Sequence, residues 1–260
     1  MDYTDDVARA NEALWESEVR RGGGATVPWL DLNVEQLRGF ARGEPDGLPE
    51  PHEDLYRPLV ADVRGKDVLC LPAAGGQHSA LFGVLGAKVT VVDIARGQLD
   101  GDERAAAHYG YEITTIHGDM RDLSCLAPAS FDVVYGTTPC YVPSIREVYA
   151  QVARVLRPGG LYRTDVGQPA TFVVEWDGAH YCLGVPYRER VLRRDDGGIE
   201  FRHYMDDIFN GLRDAGLTLV EVIDCARDHA PPPDAAPGSW THESGYVGGC
   251  FVIVARRNAD

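Results

Sequence analysis

Lysine is almost absent from this chain: Lys66 and Lys88 are the only two among its 25 basic residues, so arginine carries the positive charge. Forty acidic residues outnumber them, and a net charge of −15 argues against nucleic acid or an anionic membrane as partner. Either partner would need a basic face. The six cysteines (Cys70, Cys125, Cys140, Cys182, Cys225 and Cys250) contain no CxxC pair. Such scatter suits reduced thiols in a cytoplasmic protein better than a disulfide framework. The eight histidines show neither HExxH nor HxH spacing, so no metal site is expected. No apolar run approaches a membrane span, and the acidic start Met1-Asp2-Tyr3-Thr4-Asp5-Asp6 lacks the apolar stretch of a signal peptide. Internal repeats and low-complexity segments are missing too. The expectation is a soluble, intracellular protein whose 260 residues, 44% of them hydrophobic, suffice for one generous core.

What the chain does have is the run Val68-Leu69-Cys70-Leu71-Pro72-Ala73-Ala74-Gly75-Gly76-Gln77. Its apolar half stops at small residues, and an amphipathic segment from Ser79 to Leu85 follows. A second apolar run, Val89-Thr90-Val91-Val92, ends in Asp93, seventeen residues after Gly76. Strand, tight turn, helix and a second strand closed by an acid make a nucleotide-handling unit. The turn admits backbone to the ligand, and the acid accepts both ribose hydroxyls.

The same rhythm continues along the chain. It predicts strands over 67–72, 88–93, 112–117, 131–135 and 160–166, with helices over 76–86, 96–109 and 144–157. Pro158-Gly159-Gly160 stops the last helix. Such alternation predicts an α/β fold, with a doubly wound, mostly parallel, Rossmann-like sheet of seven strands. Beyond Asp165 the pattern changes to a hairpin around 195–198, a helix over 205–215 and strands over 217–224 and 249–255. The last two are expected to pair antiparallel at one sheet edge, with an exposed loop at Pro231-Pro232-Pro233 between them. In front stands an amphipathic helix over 4–21, capped by Asp5 or Asp6 and ended by Gly22-Gly23-Gly24. The expected division is therefore an N-terminal helical cap and connector over 1–58 and a nucleotide-binding domain over 59–260. Within the latter, 168–204 forms a substrate-lid insertion.

Over roughly 60–257 this pattern resembles the class I S-adenosylmethionine-dependent methyltransferases of the small-molecule type. Four segments carry the resemblance in order: the turn at 72–77, Asp93, Gly118-Asp119-Met120, and Phe131-Asp132-Val133-Val134-Tyr135-Gly136 followed by Val152-Ala153-Arg154-Val155-Leu156-Arg157-Pro158-Gly159-Gly160. The resemblance implies S-adenosylmethionine as cofactor and S-adenosylhomocysteine as product. It assigns the amino acid tail and sugar to Ala73, Gly75, Gly76 and Gln77, the ribose to Asp93, and the adenine to Asp119, with Ile94, Leu99 and Met120 sandwiching the ring. Tyr135 and Tyr141 offer aromatic faces to the sulfonium. The chain departs from the family's first motif, an acid followed by Gly-x-Gly-x-Gly, because those places hold Cys70, Pro72, Ala74 and Gly76. That departure leaves the tail contacts open.

Methyl transfer is an in-line displacement, so the enzyme mainly positions the acceptor and excludes water. If an O–H or N–H is methylated, a base helps. His203 is the first candidate, with Tyr141 at the acceptor side and His242 and Tyr204 behind them. Duller roles stand beside these: helix packing for His203, an N-cap for Asp93, a turn cap for Asp119. The acceptor is expected to be a small, partly apolar metabolite, with natural-product biosynthesis as one setting, met by Tyr3 and Trp15 and by Phe172, Trp176, Tyr181 and Tyr187 of the insertion. Two alternatives remain open: a methyltransferase fold turned to a non-methylating cyclisation or elimination, and a non-catalytic partner. A nicotinamide enzyme is disfavoured because Gly-x-Gly-x-x-Gly is missing. A homodimer through the N-terminal helix is a further expectation.

Overall fold

In the computed structural model, residues 5–44, 55–136, 138–225 and 234–259 are described. The Tyr3 and Pro231-Pro232-Pro233 expectations fall outside them, as does much of the connector. Helix α1 (Asp6–Arg21) starts where the Asp5 side chain accepts from the Ala8 N–H at 2.7 Å, and ends at Gly22 in the left-handed region, with φ 68°. Helix α2 (Val34–Arg42) follows, capped by Asn33 and stopped by Gly43.

The main domain then alternates: β1 (Asp67–Cys70), α3 (His78–Gly83), β2 (Lys88–Asp93), α4 (Arg96–Tyr109), β3 (Ile113–His117), β4 (Phe131–Tyr135), α5 (Ile145–Val155) and β5 (Leu156–Gly167). Two small antiparallel hairpins come next, β6 (Val174–Trp176) with β7 (Tyr181–Leu183), and β8 (Val191–Arg193) with β9 (Ile199–Phe201). Helix α6 (Met205–Asp214), β10 (Leu217–Asp224), α7 (Trp240–Val247) and β11 (Cys250–Arg257) complete the chain.

Seven strands form one sheet in the order β10-β11-β5-β4-β1-β2-β3. Strand β11 alone runs against its neighbours, between β5 and β10. This is the predicted doubly wound architecture with its antiparallel pair at one edge. Each face carries a core. On one, Val148, Val152 and Val155 of α5 and Ile208 and Leu212 of α6 cover β4 and β5, and each buried valine is worth about 1.5–3 kcal/mol over exposure. On the other, Leu81 and Phe82 of α3 and Leu99 of α4 cover β1 and β2, and Leu37 of α2 joins the same cluster.

The boundaries differ from expectation for local reasons. Helix α3 begins only at His78, because Ala74, Gly75 and Gly76 all take positive φ (50°, 60° and 98°) and cannot be helical. Helix α5 ends at Val155, two residues before the expected stop, and passes straight into β5. There Phe131 pairs with Leu156 and Val133 with Leu161, so Arg157 to Gly160 form an irregularity in the strand. Helices α2 and α7 and the β6–β7 hairpin were not among the elements expected. No helix of the described residues is long and apolar enough to cross a membrane.

Candidate active site

A cavity of about 850 Å³, its mouth included, opens at the carboxyl ends of β1, β2 and β4, beside the point where strand order reverses. Its floor begins at the turn after β1. Pro72, Ala74 and His78 stand on the wall, whereas Ala73, Gly75, Gly76 and Gln77 face inward to the protein. A Cβ on Gly75 would sit 2.5 Å from Gln98 Oε1 and 2.7 Å from the Thr26 carbonyl. One on Gly76 would sit 2.6 Å from the Gly101 carbonyl. The Gln77 amide donates to the carbonyls of Gly24 (2.6 Å) and Val27 (2.9 Å). The glycines thus let the turn press against α4 and the 24–28 segment, and Gln77 ties that segment down.

Beneath the turn lies Asp102, fully buried in α4. Ser79 Oγ donates to its Oδ1, and its Oδ2 has no hydrogen-bond partner. Burial pushes this carboxyl up to about 8.

Asp93 closes β2 at the cavity wall, with Oδ1 accepting from the Ala95 N–H at 2.9 Å. Burial raises its pKa to about 7, against the pull of the backbone N–H groups. Ile94, Gly118, Asp119 and Met120 continue the wall. The Asp119 carboxylate is held by Arg121, whose Nε lies 3.1 and 3.0 Å from its two oxygens. Arg121 also donates to Asp5 at 2.6 Å, and that bond, the largest influence on it, holds the Asp5 carboxyl below its usual range. Gln98 reaches the same wall from α4, 4% exposed, with no partner for its side-chain carbonyl.

Helix α1 forms the roof through Ala8, Asn11 and Trp15. It is pinned along its length. Glu12 lies 3.3 Å from His117, and Glu16 accepts from the Gly97 N–H at 3.0 Å. The buried Asn11 amide donates to the carbonyls of Tyr141 and Ile199, both at 3.0 Å, and accepts from the Ile199 N–H at 2.9 Å. Trp15 meets Tyr141 edge to face, with ring centroids 5.4 Å apart.

Past β4, Gly136, Thr138, Tyr141 and Val142 line the cavity. Burial drives the Tyr141 phenol well above its ordinary range, so its hydroxyl stays un-ionised, able to donate a hydrogen bond but not to serve as a base. Tyr135 is buried away from the wall, its ring 5.0 Å from those of His78 and Phe82 and 4.9 Å under the Arg163 guanidinium. His203 is also off the wall. Its Nε2 lies 2.8 Å from the Pro139 carbonyl, and burial lowers its pKa, keeping the ring neutral. His242 instead meets the Tyr181 hydroxyl at 2.8 Å, and Tyr204 stacks on Tyr187. No residue of 168–204 stands on the cavity wall. His78, Asn11, Gln98 and Arg121 are wall residues that sequence reasoning passed over. Of these, His78 had a local signal, being the first helical residue after the turn.

The wall fits a nucleoside. A buried carboxylate waits at Asp93 for hydroxyl donors, an unpartnered carbonyl stands at Gln98, and apolar side chains at Ile94 and Met120 flank Asp119. Among the described residues no group of three or more His, Cys, Asp or Glu is arranged to hold a metal.

A family model described as a methyltransferase domain matches residues 68–160. The uncharacterized methyltransferase YbaJ of Bacillus subtilis is 28% identical over 225 residues, covering 81% of this chain and 87% of that protein. Among solved structures, an S-adenosylmethionine-dependent methyltransferase from Mesorhizobium loti superposes with a TM-score of 0.64 at 20% identity, covering 88% of this chain and all of the other. A 1,6-didemethyltoxoflavin-N1-methyltransferase of Burkholderia thailandensis, with bound 1,6-didemethyltoxoflavin and S-adenosylhomocysteine, gives 0.58 at 18%. Here the cover is 97% of this chain and 89% of the other. At these identities the solved structures speak for the fold.

Proposed function

The chain belongs to the class I S-adenosylmethionine-dependent methyltransferases, and on that premise we propose that it methylates an oxygen, nitrogen or carbon nucleophile of a small, partly apolar metabolite. The observation that carries the substrate class is the roof. Helix α1 is tied to Arg121, His117, the start of α4 and the loop after β4, so the space beneath it suits a compact molecule better than a polymer. Trp15, Tyr141, Val142 and Ala8 give that space its apolar character, while Asn11 and Thr138 add polar points. Natural-product or other small-metabolite chemistry is the setting this suggests. The free cysteines favour the cytoplasm as location.

S-adenosylmethionine supplies, when bound, a methyl group made electrophilic by positive sulfur. The residues have separate tasks. Asp93 takes the ribose hydroxyls, Asp119 the adenine amine, and Ile94 and Met120 the faces of the ring. Gln98 offers its free carbonyl to the same ligand. Tyr141 donates a hydrogen bond on the acceptor side, and His78 is the wall imidazole able to take a proton from an O–H or N–H acceptor. His203, through the Pro139 carbonyl, steadies the loop that carries Tyr141. Helix α1 keeps water out while the acceptor is held in line.

Calorimetric titration with S-adenosylmethionine and then S-adenosylhomocysteine tests the cofactor half. Micromolar binding that is lost in Asp93→Ala is the expected result, and no binding at millimolar ligand sinks the reading. Product mass tests the rest: a gain of one methylene unit means transfer, and an unchanged mass means a cyclisation or other isomerisation on this fold.

A further inference from the structure

The six cysteines look unrelated in sequence, yet the fold brings two of them face to face. Strands β10 and β11 pair antiparallel up to Asp224 with Phe251. The next position in that register sets Cys225 opposite Cys250, and the Cys225 N–H donates to the Cys250 carbonyl at 3.3 Å. Directly opposite residues in such a hydrogen-bonded pair have Cα atoms about 5.5 Å apart, the separation a disulfide commonly spans. The two thiols are also in hydrogen-bond contact with each other. Across β11's other edge Cys250 pairs with Gly167, which places no side chain against it.

We infer that Cys225 and Cys250 form a dithiol site that is converted to an intramolecular disulfide by low-molecular-weight disulfides of the glutathione type. The other four cysteines lack a thiol neighbour of this kind in the structure. Cys70 is fully buried, Cys125 and Cys182 are exposed, and Cys140 is surrounded by Glu200, Arg194 and Asp165. Cys225 and Cys250 are both half-buried, which leaves a route for a small oxidant.

The order of events follows from the contact. The hydrogen bond to Cys225, together with burial, holds the Cys250 thiol far above its ordinary range, which favours Cys225 as the attacking thiol. The Cys225 thiolate attacks one sulfur of the oxidant, forms a mixed disulfide and expels one thiolate. Cys250 then loses its proton to solvent and attacks the Cys225 sulfur. The Sγ–Sγ bond forms, and the second oxidant sulfur leaves as a thiolate that is protonated in water. Two protein thiols are oxidised and one small disulfide is reduced to two thiols. The new bond closes the chain between 225 and 250, which carries α7.

Peptide mass mapping of the full chain after equilibration with oxidised glutathione tests this. Expected is one cross-linked Cys225–Cys250 peptide lighter by two hydrogen atoms, restored by reduced dithiothreitol. In Cys225→Ser and Cys250→Ser the surviving cysteine should carry glutathione, with no cross-link. The inference fails if wild-type protein carries glutathione on both residues without a cross-link. It fails equally if both thiols stay reduced while Cys125 and Cys182 are modified.

Discussion

Asp93 concentrates the chemistry of the site in one carboxylate. Buried without a cation, it is held protonated up to about pH 7, against 3.8 for a free aspartate. The sign of the consequence follows from proton counting. Between pH 4 and 7 the unfolded chain has released this proton and the folded chain has not, so stability is greatest below 3.8 and falls as pH rises to about 7. Asp93→Asn keeps the shape and removes the charge. Its melting temperature should exceed wild type at pH 8 and match it near pH 4; an advantage that ignores pH would assign it to another cause. The same variant should bind S-adenosylmethionine about 100-fold more weakly at about pH 8, because an amide with one acceptor oxygen replaces a carboxylate that takes both ribose hydroxyls. Gly76 acts through geometry instead. With φ at 98° and the Gly101 carbonyl 2.6 Å from where a Cβ would stand, Gly76→Ala should cost about 2–4 kcal/mol, read as a lower urea midpoint.

Helix α1 is the element that turns an open cleft into a chamber. Its own sequence explains its ends, Asp5 and Gly22, but its value lies in Asn11, whose three hydrogen bonds reach the backbone of Tyr141 and Ile199. Asn11→Ala strands those backbone groups and should cost about 1–3 kcal/mol. Faster hydrogen exchange confined to α1 and a several-fold weaker cofactor affinity are the expected signs. Unchanged exchange in α1 would mean that the roof is held by its ion pairs alone. Helix α2 shows what was legible and what was not: Asn33 and Gly43 are readable caps, but the helix packs on the Arg57–Leu59 turn, beyond the connector, and no local pattern announces that contact.

For the molecule as a whole, two buried carboxylates act together. Asp102, raised to about 8 by burial, follows the same sign as Asp93, so the ligand-free protein should melt at progressively lower temperature from pH 5 to pH 9. The net charge of −15 adds self-repulsion over that range. Saturating S-adenosylmethionine should raise the melting temperature at pH 8 by mass action. A flat melting profile in scanning calorimetry would mean that both carboxylates are solvated in the folded protein.

The amino-acid order by itself determined the alternating strands and helices, the turn at 72–77 and the acids that end two strands, because hydrophobic period and Gly/Pro punctuation act over a few residues. It also carried the antiparallel pair at the sheet edge, as two late apolar runs parted by a long loop. What Gly75 and Gly76 touch, which helix roofs the cavity, and the sequestering of Tyr135 and His203 depend on side chains far apart in the chain. So does the meeting of Cys225 with Cys250, which cross-strand register alone creates. Local patterns are set by neighbours in sequence, whereas burial, pKa and contact are set by neighbours in space, and those are decided only when the sheet has closed its core.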